Sequence, residues 1–214
     1  SCKNLSNIAD VALHTLFAYV EEDYAQKHGR ISQGNFAILG LGKLGSRELT
    51  LGSDIDLIFV YDAPSDSVSD GERPQEVARY YARLGRRFIN AVTALTRYGM
   101  LYNVDLRLRP SGDDGPVATS LQAFDQYFGT SAWVWEYMAL TGARVLMSTD
   151  KDYTQKLEGI ITQKLTQNWD PVTLKEGMIL MHERVCRSYD TTNPFNIKFV
   201  SGGLLNLEYI VQYW

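Results

Sequence analysis

Cysteine is nearly absent from this sequence: Cys2 and Cys186 are the only two in 214 residues. Two cysteines so far apart build neither a disulfide framework nor a metal-ligand pair, which points to a reducing compartment. The three histidines, His14, His28 and His182, are too scattered for a zinc site. No apolar run approaches the roughly 20 residues that cross a bilayer, and no signal-peptide pattern is visible. A surplus of positive charge is missing too, since 21 Lys and Arg stand against 25 Asp and Glu for a net charge of −4. That argues against a non-specific grip on nucleic acid, where a basic face supplies the affinity. What remains is ordinary globular composition, 45% hydrophobic and 21% charged, long enough for one large domain or two small ones. The expectation is a soluble, cytoplasmic protein that engages neither membrane nor nucleic acid.

Periodicity organises the chain. Leu5, Ala9, Ala12, Leu13, Leu16, Val20 and Tyr24 recur at helical spacing over 5–28, with Gly29 as a stop. Phe36 to Leu39 reads as a short buried strand running into Gly40-Leu41-Gly42-Lys43-Leu44-Gly45. A short helix is expected over roughly 46–51, then a strand from Asp54 to Tyr61. The Ser-, Asp- and Pro-rich stretch 62–74 is a loop, and a long helix is expected over about 75–97. Residues 101–109 alternate like a half-buried strand, placing Asn103, Asp105, Arg107 and Arg109 on one polar face. Beyond the turn at 110–116 the pattern turns helical, with helices expected at about 120–128, 131–141, 150–167, 171–189 and from Leu204 onward. The expected organisation is an α/β part over 1–119 and a helical part over 120–214. The last helix stops without a cap, so the sequence is expected to be a fragment of a longer chain.

Asp54 and Asp56 carry the first chemical signal. One residue apart at the head of a strand, they share a face a few ångströms from each other. Carboxylates that close repel unless a cation lies between them, and a magnesium ion on a nucleotide takes one or two carboxylates plus water and phosphate oxygens. Alone, an Asp-x-Asp is more often a solvated loop pair. The glycine turn ending at Gly45-Ser46 lies just before it, and backbone N–H groups at such turns suit phosphates. Asp105 completes a metal site if its strand lies beside that of Asp56, and Arg107 and Arg109 then face phosphate oxygens from the same strand. Three carboxylates, a phosphate turn and two arginines suit metal-assisted phosphoryl transfer. No Ser-His-Asp, Cys-His or zinc motif competes for the role.

Gly40 to Gly45 also fits the G-x-G-x-x-G dinucleotide fingerprint, with Asp62 at the distance of a ribose-binding acid. Two features speak against it. Gly52-Ser53 breaks the following helix within about two turns, short for a crossover. The next strand opens on two acids, unlike a strand buried on both faces.

The segment FAILGLGKLGSRELTLGSDIDLIFVYD, residues 36–62, resembles the signature of glutamine synthetase adenylyltransferases, a G-K-L-G-x-x-E-L turn followed by S-D-[LI]-D-L-I-F. The run VDLRLRPSGDDGPVATSLQAFDQYF resembles the second block of that family. Trp135-Glu136, Ala139-Leu140 and Ala143-Arg144-Val145 resemble its third, and Lys198 to Tyr213 resembles K-x-x-x-G-G-[IL]-x-D-I-E-F-x-x-Q-Y. Together the blocks cover nearly the whole chain, in order. One departure stands out: Asn206-Leu207-Glu208-Tyr209 replaces D-I-E-F, keeping the glutamate and losing the aspartate.

The resemblance implies an α+β fold of the DNA polymerase beta-like nucleotidyltransferase kind, a mixed sheet with flanking helices followed by a mainly helical part. It implies magnesium held by Asp54, Asp56 and Asp105, which are also the catalytic residues. ATP is the implied substrate, contacted by Lys43, Gly45, Ser46, Arg107 and Arg109. Glutamine synthetase is the implied protein substrate, and a nitrogen-signalling regulatory protein a further implied partner. Family members carry one unit that adds AMP to glutamine synthetase and one that removes it by phosphorolysis. Ser111 in RPSG, the Thr119-Ser120 pair and the A-W-x-W-E-x-x-A-L run from Ala132 to Leu140 favour the adding unit. The removing unit and another nucleotidyltransferase of this fold remain as alternatives.

Overall fold

The structure, a computed structural model, describes residues 1–189, 193 and 195–213. Helix α1 (Cys2–His28) buries Ser6, Ala9, Leu13, Phe17, Val20, Tyr24 and His28 at steps of three and four, and Gly29 closes it at a φ of 71°. Strand β1 (Asn35–Leu41) pairs antiparallel with β2 (Ile55–Asp62), and between them lies a single helical turn, α2 (Gly42–Gly45). Helix α3 (Val77–Val92) follows, then β3 (Val104–Asp105), a 3-10 turn (Gly112–Asp114) and β4 (Ala118–Ser120). Helices α4 (Leu121–Thr130) and α5 (Val134–Thr141) lead to β5 (Arg144–Ser148). Helices α6 (Lys151–Leu165), α7 (Pro171–Ser188) and α8 (Leu204–Tyr213) complete the order.

The sheet is mixed. Strand β5 pairs antiparallel with the free edge of β1, while β3 and β4 run parallel to β2 along its other edge, one beyond the other. The period of two divides the strand side chains between two cores. Phe36, Ile38, Ile55, Leu57, Phe59 and Tyr61 pack on α1 and α3. Ala37, Leu39, Leu41, Ile58 and Val60 pack beneath α4, α5 and α6. The first core is built around rings: Tyr81 stacks on Phe36 at 5.5 Å and on Tyr61 at 4.7 Å. A fully buried ring or aliphatic chain contributes about 1.5–3 kcal/mol, so these two layers fix β2 in place.

Several sequence expectations change. The helix expected over 46–51 lies earlier, over Gly42–Gly45, and 46–54 is turn and extended chain. Helix α3 ends at Val92, not near 97, because the chain doubles back there. Leu101 and Tyr102 both donate to the Val92 carbonyl. The strand expected over 101–109 is only two residues long. Asp105 Oδ1 accepts the Arg107 backbone N–H at 2.8 Å, a local turn that competes with the ladder and ends the strand. Strands β4 and β5 were not anticipated, and β5 returns to the sheet from the stretch expected to be helical. Trp214 lies outside the described residues.

Candidate active site

Sheet register assembles the site at one end of β2. Leu41, last in β1, lies opposite Asp56, and Asp56 lies beside Asp105. Gly42 follows with a φ of 51°, and a Cβ there would stand 2.5 Å from Asp56 Oδ2. The glycine turn therefore sits directly on Asp56, and its positive φ favours glycine there. Asp56 shares the parity of Ile58 and Val60, on the face that α4 to α6 cover further along, while Asp54, expected to open the strand, lies one residue before it. At the strand head Asp54 is exposed and Asp56 half-buried.

The acids bear on one another. Burial, then the charges of Asp105 and Asp54, push Asp56 up to about 6, while Arg107 and Lys198 pull it back. Asp105 moves the other way, held below the usual carboxylate range by hydrogen bonds from Arg107. Arg107 Nε reaches Asp105 Oδ2 at 2.9 Å and Nη2 reaches it at 2.5 Å, yet the arginine side chain is 76% exposed.

Lys43 is exposed on the turn. Ser46 Oγ lies 3.0 Å from the Gly42 carbonyl and 3.1 Å from Glu48 Oε2, two acceptors that share its one proton. Gly45 is enclosed, and a Cβ there would meet the Gly142 carbonyl at 2.0 Å. Arg109 is placed differently from the other predicted residues. Because β3 stops at Asp105, alternation no longer carries it toward the acids, and it is only 8% exposed. Its guanidinium donates to the carbonyls of Leu106 at 2.9 Å, Asp113 at 3.2 Å and Gly115 at 3.3 Å. It staples the loop that follows Asp105.

Residues 1–160, three quarters of the chain, match the family described as glutamate-ammonia ligase adenylyltransferase. The chain belongs to this family. It is 40% identical over 209 residues to a bifunctional glutamine synthetase adenylyltransferase/adenylyl-removing enzyme of Bradyrhizobium diazoefficiens, covering 97% of this chain and 21% of that protein. A protein of the same description from Bartonella henselae is 41% identical over 207 residues, 96% of this chain and 21% of its own length. The chain thus spans about a fifth of the length of these relatives.

Magnesium is the cation that the adenylyltransferase resemblance implies, and the donor chemistry fits it. Carboxylate oxygens are hard ligands, and the upward push on Asp56 by Asp54 and Asp105 is the stress that a divalent cation relieves. Among the described residues, no three His, Cys, Asp or Glu side chains stand ready as a cage. Arg107 occupies Asp105, and a nucleotide-bound magnesium needs only one or two carboxylates.

Sequence reasoning missed the residues that arrive from the far end of the chain. Lys198 acts on Asp56 and Tyr189 on Arg107. Tyr189 stacks on Phe199 with centroids 4.0 Å apart, and Lys198 Nζ lies 5.1 Å from that same ring centroid. The turn carrying them is fastened to α8, since Leu204 N donates to the Ile197 carbonyl and Leu205 N to that of Lys198. Lys198 heads the block K-x-x-x-G-G, so the signal was present in the motif but not its direction in space. Asn206, which replaces the aspartate of the pattern, lies 2.8 Å from His182 Nε2 and accepts from Gly202 N at 3.0 Å. It ties α8 to α7 and to the glycine turn before it, and its hydrogen bonds do not reach the acids.

Proposed function

We propose that this chain transfers AMP from ATP to a tyrosine hydroxyl of glutamine synthetase, releasing pyrophosphate, as the adding unit of a cytoplasmic enzyme that answers to a nitrogen-signalling protein. The observation that carries this reading is the seating of Gly42 on Asp56, with Asp105 in register beside it. That arrangement brings a glycine turn suited to phosphate and carboxylates suited to a metal together from three stretches of sequence, which supports the reading.

Asp54, Asp56 and Asp105 hold magnesium in this reading. When bound, the ion neutralises charge on the nucleotide phosphates. Lys43, with the backbone of Gly45 and Ser46, flanks the phosphates from the turn, and Lys198, whose charge already acts on Asp56, adds a second cation. Arg107 has most of its side chain in solvent and can exchange Asp105 for a phosphate oxygen. Asp105, or a metal beside it, would orient the attacking hydroxyl, a phenol whose own pKa is near 10. Arg109 serves by holding the loop behind Asp105. The preference for adding over removing AMP rests on the RPSG and W-E blocks, because both directions use the same in-line geometry.

The test has two arms. The protein is given Mg-ATP with unmodified glutamine synthetase, and separately inorganic phosphate with the adenylylated form. Transfer of labelled AMP in the first arm is expected. Phosphate-dependent release of ADP with no transfer from ATP would reverse the direction.

Lys198→Ala is expected to raise the KM for ATP about tenfold, the worth of one charge-assisted contact. Stability should change by under about 0.5 kcal/mol, because the side chain is exposed. Steady-state kinetics and urea unfolding together check it, and an unchanged KM removes Lys198 from the site.

A further inference from the structure

Arg144 opens β5, the strand on the far side of β1 from the acids, yet its guanidinium reaches back to the glycine turn. Nε donates to the Gly45 carbonyl at 3.2 Å and Nη2 to the Leu44 carbonyl at 3.2 Å. Nη2 also donates to Asp10 Oδ1 of α1 at 2.6 Å, and both side chains are about one-fifth exposed, 21% and 22%. One planar group thus joins β5, α1 and the carbonyl end of α2.

A helical turn of four residues has almost no internal bonding of its own. Ser46 N closes on the Gly42 carbonyl at 3.0 Å, and Glu48 N on that of Lys43 at 2.7 Å. Gly45 itself is buried, and a Cβ on it would meet the carbonyls of Gly142 and Gly40. Water does not replace a partner easily there, so the arginine holds this end. The other end of the same four residues is Gly42, seated on Asp56. Only two residues separate Gly45 from Gly42, so the arginine acts within one turn of the contact with Asp56.

We propose that Arg144, anchored by Asp10, is a positioning residue that sets the glycine turn against Asp56 and thereby sets nucleotide affinity. The inference rests on the reading of this end of the sheet as a nucleotide site. Arg144 touches neither the acids nor, in that reading, the substrate. Its fork geometry is what the task needs, since two carbonyls and a carboxylate must be met at once.

Two measurements on Arg144→Gln, Arg144→Lys and Asp10→Asn decide it. The first is hydrogen exchange of the protein without nucleotide. In Arg144→Gln the amides of Ser46, Arg47 and Glu48 are expected to exchange about tenfold faster while those of β1 and β2 stay protected. Arg144→Lys, which keeps the charge and loses the fork, falls between Gln and the parent. Asp10→Asn gives a smaller rise in the same segment and stands in should Arg144→Gln fail to fold. Unchanged exchange at 46–48, or a uniform rise across the sheet, overturns the clamp. The second is kinetics: the KM for ATP rises about tenfold with kcat within about threefold. Faster exchange with an unchanged KM overturns the link to nucleotide affinity. If the parent protein itself shows no Mg-ATP-dependent stabilisation, the nucleotide reading fails while the exchange result still stands or falls alone.

Discussion

Asp56→Asn is expected to remove AMP transfer and at the same time to stabilise the metal-free protein above pH 6. Both effects come from one carboxylate. In the proposed reading, transfer would lose a ligand for the ion that offsets charge at the reacting phosphate, a loss of about a thousandfold or more. Stability moves the other way because Asp56 is pushed from 3.8 up to about 6 by burial and by its neighbours Asp105 and Asp54. The folded protein holds that proton more tightly than the unfolded chain does. Between about pH 4 and 6 the native state therefore binds more protons, and its stability falls as the pH rises, until above 6 the full cost is in place. A shift of about two units corresponds to about 3 kcal/mol, which solvent screening at this half-buried position reduces to about 1–2 kcal/mol. The variant never bears that cost. Urea unfolding of parent and variant should coincide near pH 4 and diverge by pH 7 to 8, with the variant more stable. Magnesium should narrow the gap by stabilising only the parent. A variant less stable than the parent at pH 8 would show that Asp56 is not under repulsion, and one with near-normal transfer would remove it from the metal site.

Arg109→Ala carries the largest expected loss of stability among the residues near the site. Its guanidinium is the common partner of the Leu106, Asp113 and Gly115 carbonyls, and the residue is buried. Truncation strands these acceptors and leaves a void, at a cost of about 2–4 kcal/mol. For a chain of this size that lowers the Tm by roughly 5–12 °C. Arg109→Lys should recover little, since an ammonium cannot span three carbonyls in one plane. Arg107→Ala is the control: its side chain is 76% exposed and its pairing with Asp105 is worth at most about 1 kcal/mol. The sequence pattern makes these two arginines equivalent, and thermal unfolding of the two variants separates them. Equal and small losses would mean that Arg109 does not hold its loop together.

That contrast marks the limit of periodicity as evidence. Reading 101–109 as one alternating strand placed Asp105, Arg107 and Arg109 on a common face. The rule is sound while the strand lasts, but it ended after Asp105, where the aspartate side chain captured the Arg107 N–H. A side chain that competes for a backbone donor two residues on is a local event, and no count of apolar and polar positions reveals it. The same holds for β4 and β5. Ala118–Ser120 and Arg144–Ser148 are short segments whose strand character comes from the edges of β2 and β1, which offer them hydrogen bonds. Neither has enough length or alternation to announce itself.

The sequence alone determined the chemistry on offer. Asp54-x-Asp56 at the head of an apolar strand, the glycine turn before it and the later Asp105 made hard-cation and phosphate chemistry the expectation. It determined the long elements too, since α1 and the body of α3 each carry a stripe at helical spacing that only burial satisfies. Tertiary structure decided which of these groups meet. Register between β1 and β2 put Gly42 on Asp56, pairing with β3 put Asp105 beside it, the bonds of Leu204 and Leu205 to Ile197 and Lys198 fastened the lysine whose charge acts on Asp56, and β5 carried Arg144 to the turn. Spacing along a chain fixes neighbours within a few residues. Contacts across a hundred residues, such as Arg144 with Leu44 and Gly45, exist only once two core layers have closed on the sheet and fixed its edges.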